Sequence, residues 1–161
     1  MGGLRYGSRA GAGRLWLACL LAGLLAACGA EPVAETGLKP HEASLQLRDA
    51  TVRANLIPTG NLSEAMARQY GIERGEGTVL LLVSVRRPAD GGQVSLPARV
   101  SATATDLHGT QQTIELRELE AGGFLDHAGT FQARPRDTLT FAVEVRREGE
   151  PPATLRFNHD F

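Results

Sequence analysis

From about residue 44 onward, apolar and polar residues alternate with a period of two, and each alternating run ends at Gly, Pro or Asp. The clearest run is 138–147, where Leu139, Phe141, Val143 and Val145 alternate with Thr138, Thr140, Ala142 and Glu144. Successive side chains of a strand point to opposite faces, so this pattern predicts a strand with one face buried. Gly149, Pro151 and Pro152 interrupt it, and Leu155, Phe157 and Phe161 resume the alternation, which predicts a closing hairpin. Residues 79–85 are almost wholly apolar, the composition of a central strand covered on both faces, and this strand is predicted to stop at Pro88 ahead of Asp90, Gly91 and Gly92. Val100, Ala102 and Ala104 alternate with Ser101, Thr103 and Thr105. Asp106-Leu107-His108-Gly109 then sets Asp first and Gly fourth, as a type I turn favours, before Ile114 and Leu116 take up the pattern again. Residues 124–133 and an opening run at 45–57 complete about seven predicted strands.

One helix interrupts the strands. Ser63 is placed to cap Glu64 to Tyr70, and Gly71 to stop them. Leu62, Ala65, Met66 and Tyr70 are predicted to share one side, with Glu64 and Arg68 paired at i, i+4 on the other. The prediction is an all-β, immunoglobulin-like sandwich with one short helix, spanning residues 44–161, an amount of chain that can bury one core. The Cys, Trp, Cys signature of true immunoglobulin domains is absent from that span.

The first residues follow a different pattern. Arg5, Arg9 and Arg14, with no acid among them, precede an apolar run from Leu15 to Ala27 that ends in Leu25-Ala26-Ala27-Cys28. This is the pattern of a signal peptide, 1–27. At 1.5 Å per residue a helix of that run covers about 20 Å, short of the roughly 30 Å hydrocarbon core. The tetrapeptide resembles the bacterial lipoprotein signal, in which the cysteine becomes the acylated first residue of the mature chain. The resemblance implies cleavage between Ala27 and Cys28, lipid on Cys28, and a membrane held through more than one acyl chain. Trp16 stands where Cys19 would need its leucine, so Cys19 fits poorly. Gly29, rather than Asp, after the cysteine implies sorting to the outer membrane in preference to the inner one. Residues 28–43, with Pro32, Pro40, Gly29 and Gly37 and no periodicity, are predicted to be the lipidated end and a flexible tether with an r.m.s. span of roughly 20 Å.

Composition narrows the chemistry. The chain has 161 residues, 17 Lys plus Arg against 18 Asp plus Glu, and 42% hydrophobic residues. Processing would remove three arginines, leaving 14 basic against 18 acidic side chains, a net charge of −4. No basic cluster is apparent along the chain, so neither nucleic acid nor an anionic lipid surface is expected to be bound electrostatically. Trp16 and Tyr6 leave with the signal, so Tyr70 and five phenylalanines are the remaining aromatics, a poor supply for stacking bases or sugars. Cys28 would be the last thiol and lipidated. His41, His108, His127 and His159 show no zinc-ligand spacing and are expected to be solvated turn or strand-end residues, with no metal and no cofactor. Glu115, Glu118 and Glu120 read as the solvated face of a strand, and no nucleophile elbow or phosphate loop is present.

The stretch from Leu62 to Arg74 with its Gln69-Tyr70-Gly71-Ile72 end, the apolar strand through Val85, the threonine-rich hairpin around Gly109 and the closing Leu155-Arg156-Phe157-Asn158-His159-Asp160-Phe161 together resemble the bacterial domain-of-unknown-function family forty-four twenty-six. The likeness implies a small envelope protein of a Gram-negative bacterium, secreted or lipidated, and carries no activity. Glu64 departs from the proline common after the family's N-cap, and Phe124-Leu125-Asp126-His127 departs from its aromatic pairs. The expectation is therefore a periplasmic, lipid-anchored, non-enzymatic module that binds or positions another envelope protein, with Met66 and Tyr70 as candidate contacts. A hydrolase assembled from scattered residues and a small-ligand or metal carrier are the alternatives.

Overall fold

The computed structural model describes His41–Phe161, and the signal peptide, Ala27, Cys28 and most of the tether lie outside the described residues. Ten strands are present among them: β1 (His41–Gln46), β2 (Thr51–Pro58), β3 (Thr78–Ala89), β4 (Gly92–Ser95), β5 (Arg99–Asp106), β6 (Gln111–Ile114), β7 (Arg117–Ala121), β8 (Phe124–Gln132), β9 (Thr138–Arg146) and β10 (Ala153–Asp160). A 3-10 turn (Thr59–Asn61) and helix α1 (Glu64–Tyr70) lie between β2 and β3. The strands form two antiparallel sheets. One runs β1-β2-β3-β8-β7 with β4 added to the end of β3, and the other runs β10-β9-β5-β6. The fold is an all-β sandwich.

Its core follows from the alternation. Val79, Leu81, Val83 and Val85 of β3 face Ala102 and Ala104 of β5 and Leu139, Phe141, Val143 and Val145 of β9 across the sandwich, all nearly or wholly inaccessible to water. Phe141 stands over the Phe157 ring with centroids 4.9 Å apart and meets the edge of Phe131 at 5.3 Å. Leu80 faces the other way, into a smaller cluster with Leu62, Ala67, Leu119 and Ala128 beneath α1. The central strand is thus covered on both faces, as its composition predicts, and β9 and β10 form the predicted hairpin.

The strand count rises from seven to ten for three local reasons. The opening run is two strands, folded back by a turn in which Leu47 N–H donates to Ala50 C=O at 2.7 Å. β1 begins at His41, so residues 41–43, assigned to the tether by composition, are ladder residues paired with β2. β3 does not stop at Pro88 but continues into a two-residue Asp90-Gly91 hairpin with β4, where Pro88 pairs with Gln93 at the end of the sheet and its missing donor costs little. Finally, the glutamate-rich run is not one strand: β6 ends at Ile114 in one sheet, and after Glu115 and Leu116 the chain starts β7 in the other.

Candidate functional site

Helix α1 forms as its caps dictate. The Ser63 hydroxyl accepts from Met66 N–H at 3.2 Å, and Gly71 closes the helix with φ 57° and ψ 43°. Gly71 N–H donates to Arg68 C=O and Ile72 N–H to Ala67 C=O, and Ile72 packs with Leu62 and Tyr70 on the smaller cluster, the contact that accompanies this type of helix end. The inward face differs from the predicted stripe. Leu62 and Ala67 are buried and Tyr70 is half-buried, while Ala65 is exposed and Met66 is 41% exposed. On a two-turn helix the i, i+4 series through Met66 and the series through Ala67 are equally regular, and the docking of Leu62 and Ile72 at the two ends selects the second.

The carbonyl groups left open at the end of α1 meet a cation. Arg117, the first residue of β7, donates from Nη2 to the carbonyl oxygens of Tyr70 and Gly71, the latter at 3.2 Å. The segment that follows is stapled to the 3-10 turn: Arg74 donates to Gly60 C=O at 2.8 Å, and the buried Thr59 hydroxyl accepts from Gly75 N–H at 3.0 Å. Between this segment, the β6–β7 crossing and β8 lies an open groove of about 550 Å³, whose lining includes Ile72, Glu73, Arg74, Glu115, Arg117 and Thr130. Two carboxylates and two guanidiniums share it. Of the two candidate contacts, Tyr70 packs half-buried on the smaller cluster outside the groove's lining, and Met66 lies exposed on α1.

A second polar group lies on the same outer face of the six-stranded sheet. Arg86 of β3 donates from Nη2 to both oxygens of Asp126 at 2.9 and 3.0 Å, and its guanidinium sits 4.1 Å from the Phe124 ring centroid. Ser84 is the cross-strand partner of Asp126, and both are buried. With His127 next in sequence these residues suggest a hydrolytic triad. Strand alternation defeats it, because His127 points to the opposite face, between the sheets, where Nε2 is 3.1 Å from Ala98 C=O. His127 is therefore a buried core residue rather than the solvated one expected from sequence. His41 and His159 are not free-standing either: their rings lie 4.8 Å apart at the edge where β1 and β10 meet, beside Phe157 and Phe161. His108 alone is an exposed turn residue. Among the described residues no three His, Cys, Asp or Glu side chains converge as a metal site.

Two carboxylates are perturbed. Asp49 is held below the usual range chiefly by its hydrogen bond to Arg147, which reaches both of its oxygens and also Glu150. Asp106 is lowered chiefly by the backbone N–H of Thr110 and also accepts from His108 N–H, each at 2.8 Å. Both are turn-forming groups outside the groove's lining, and sequence patterning offered no signal for the groove itself, since its walls come from segments far apart in the chain.

The family model described as a domain of unknown function, DUF4426, matches residues 44–161. Among solved structures, a DUF4426 family protein from Pseudomonas aeruginosa PAO1 is 26% identical, with a TM-score of 0.64 over 74% of this chain and 94% of that one. A copper-bound variant of FetP from uropathogenic Escherichia coli strain F11 is 9% identical, with a TM-score of 0.55 over 77% of this chain and 98% of that one. FetP of the same strain, produced in the periplasm, gives 0.52 at 9% identity over 78% and 97%. No curated protein matches the chain.

Proposed function

The chain belongs to the DUF4426 family, and from that premise we propose that it is a non-enzymatic binding module of the periplasm, attached to the outer membrane through lipid on Cys28, that receives another envelope protein in the groove beside α1. The observation that carries this reading is the composition of the groove. Small-molecule pockets are mainly apolar with a few polar groups, whereas here Glu73 and Glu115 stand with Arg74 and Arg117 around about 550 Å³ of open space. Balanced charge in an open groove suits a polar segment of a protein partner. The family's helix end and threonine-rich hairpin lead into two of its walls.

A carrier role is the second reading, favoured by the FetP likeness, which is a likeness of fold. The pair His41 and His159 is the place it would use, and no third side chain of the His, Cys, Asp or Glu kind joins them among the described residues.

A photo-crosslinking residue at Glu73, in cells, followed by mass spectrometry tests the first reading. A recurrent envelope-protein adduct that disappears with Arg117→Glu is expected. Absence of any adduct from Glu73, together with hydrolysis of ester, glycoside or peptide substrates by the purified protein, would replace the binding module with the enzyme. Palmitate labelling should be lost in Cys28→Ser, and labelling that persists would remove the anchor.

A further inference from the structure

Strand register places four segments at one end of the sandwich. β1 enters there at His41, which pairs with Leu56 near the end of β2. The β5–β6 hairpin tip is there, because Asp106 pairs with Leu139 at the start of β9, and so is the last strand's end, because His159 also pairs with Leu139. The turn 134–137 follows β8 at the same end, and a cleft of about 270 Å³ lined by Asp106, Thr110, Arg134 and Asp137 separates it from the hairpin tip.

The two loops present complementary groups. Leu107, at the hairpin tip, is 78% exposed, far more than Met66 at 41% or Val94 at 38%. Its exposure is imposed by a well-bonded turn: Asp106 accepts from two backbone N–H groups, and Gly109 N–H donates to Asp106 C=O at 3.0 Å. In the neighbouring turn, Asp137 N–H donates to Arg134 C=O at 3.0 Å, and Arg136 occupies the position that needs a left-handed residue, with φ 73°. It is the single non-glycine residue with positive φ among the described residues. Glycine or asparagine would hold this position without strain, and strain of this kind gathers at sites of function. The C-terminal strand clamps the turn, Arg136 N–H donating to Phe161 C=O and Phe161 N–H to Asp137 C=O. The Arg134 and Arg136 guanidiniums are exposed and make no side-chain hydrogen bond or ion pair among the described residues. The nearby acids are already hydrogen-bonded: Asp106 and Asp137, half-buried, accept from backbone N–H groups, and the exposed Asp160 accepts from the Thr138 hydroxyl.

We propose that this end of the domain docks on the anionic phospholipid surface of the membrane that holds Cys28, with Leu107 entering the acyl boundary and Arg134 and Arg136 meeting lipid phosphates. The proposal rests on the lipid-anchor reading above. The bilayer is the fitting occupant because the lipid-bearing segment joins the fold at this same end, and because an apolar tip flanked by free guanidiniums is the pairing that interfacial binding uses. The tether then confines the domain near the surface, and the two loops fix which end faces it.

The test uses the full lipidated chain in vesicles of phosphatidylethanolamine with phosphatidylglycerol. An environment-sensitive dye is attached to His108→Cys, beside the wedge, or to Asp90→Cys at the opposite end. The expected result is a blue shift and quenching by spin-labelled lipid at 108 and neither at 90. Both should be lost in Leu107→Asp, and both should weaken in Arg134→Glu with Arg136→Glu or when phosphatidylglycerol is omitted. Leu107, Arg134 and Arg136 are exposed, so these variants should fold, which circular dichroism checks. Protein that floats with the vesicles but shows equal signals at 108 and 90 overturns the docking and leaves the anchor intact. Quenching at 108 that survives all three substitutions also overturns it, since proximity through the tether would then suffice. A chain that fails to float overturns anchor and docking together.

Discussion

Gly129 lies so close to the backbone of Glu115 that no side chain fits between them: a Cβ built at Gly129 would overlap the Glu115 carbonyl oxygen and stand 3.0 Å from Leu116 Cδ2. The glycine serves close approach here, since its φ is not left-handed. β8 is paired on both sides, with β3 and β7, and cannot retreat, while Glu115 and Leu116 are the segment that carries the chain from one sheet to the other. Gly129→Ala is expected to cost about 2 to 4 kcal/mol of stability, the upper range of overpacking. Urea unfolding reads it. A midpoint equal to that of the unaltered protein would show that the crossing yields freely.

Tyr70 and Met66 should separate cleanly. Tyr70 packs with Leu62, Ala67 and Leu80, so Tyr70→Ala is expected to destabilise by about 3 kcal/mol, the low end of large core truncations because part of the ring reaches water. Met66 is exposed, and Met66→Ala should stay within about 0.5 kcal/mol. Thermal melts of the two variants decide it. Unchanged stability in Tyr70→Ala, with partner adducts abolished, would make Tyr70 a recognition residue.

The Arg86–Asp126 pair should respond asymmetrically. Asp126→Ala leaves the Arg86 guanidinium over Phe124 without its anion, an expected loss of about 2 to 3 kcal/mol, less than for a fully buried pair because the arginine side chain is 24% exposed. Replacing both partners, as Arg86→Met with Asp126→Leu, should recover most of that loss. A double variant less stable than Asp126→Ala would mean that the pair is worth more than its desolvation.

Stability should fall on the acid side. Asp49 and Asp106 both have carboxyls lowered in the folded state, by Arg147 and by the Thr110 N–H respectively. A group lowered on folding contributes stability that is fully present above its unfolded value, near 3.9, and lost as pH drops through its folded value. These two therefore contribute nothing to pH dependence between about pH 5 and 8, and their share disappears below about pH 4. In Asp49→Asn with Asp106→Asn the decline in midpoint between pH 5 and pH 3 should be shallower than in the unaltered protein. An identical decline would assign it to other carboxylates.

Much of this fold could be read from sequence because alternation reports burial directly. The pattern through Leu139, Phe141, Val143 and Val145 is a strand on any register, and the caps at Ser63 and Gly71 are local stereochemistry. What escaped reading depends on partners far along the chain. Glu115 and Glu118 cannot share one face of a strand, being three apart, and that mismatch was the available sign that the run changes sheets. Pro88 reads as a stop unless the Asp90-Gly91 hairpin beyond it is recognised. Met66 and Ala67 compete for the inner side of α1, and the choice is made by Leu62 and Ile72 against Leu80. The groove and the cleft between the 106–110 and 134–137 turns are legible only in three dimensions, since each joins loops separated by long stretches of strand.

The ladders at the centre of both sheets join distant parts of the chain: Leu82 of β3 pairs with Ala128, and Thr103 of β5 with Ala142, each pair roughly forty positions or more apart. Neither ladder can begin before most of the domain has been synthesised, and each must close a long loop before any core is buried. Such a chain is expected to fold in milliseconds to seconds rather than microseconds. During that interval the bare edges of β3 and β9 are open to mispairing with other chains, so at high local concentration the speed of folding, more than its final stability, becomes the property that limits yield.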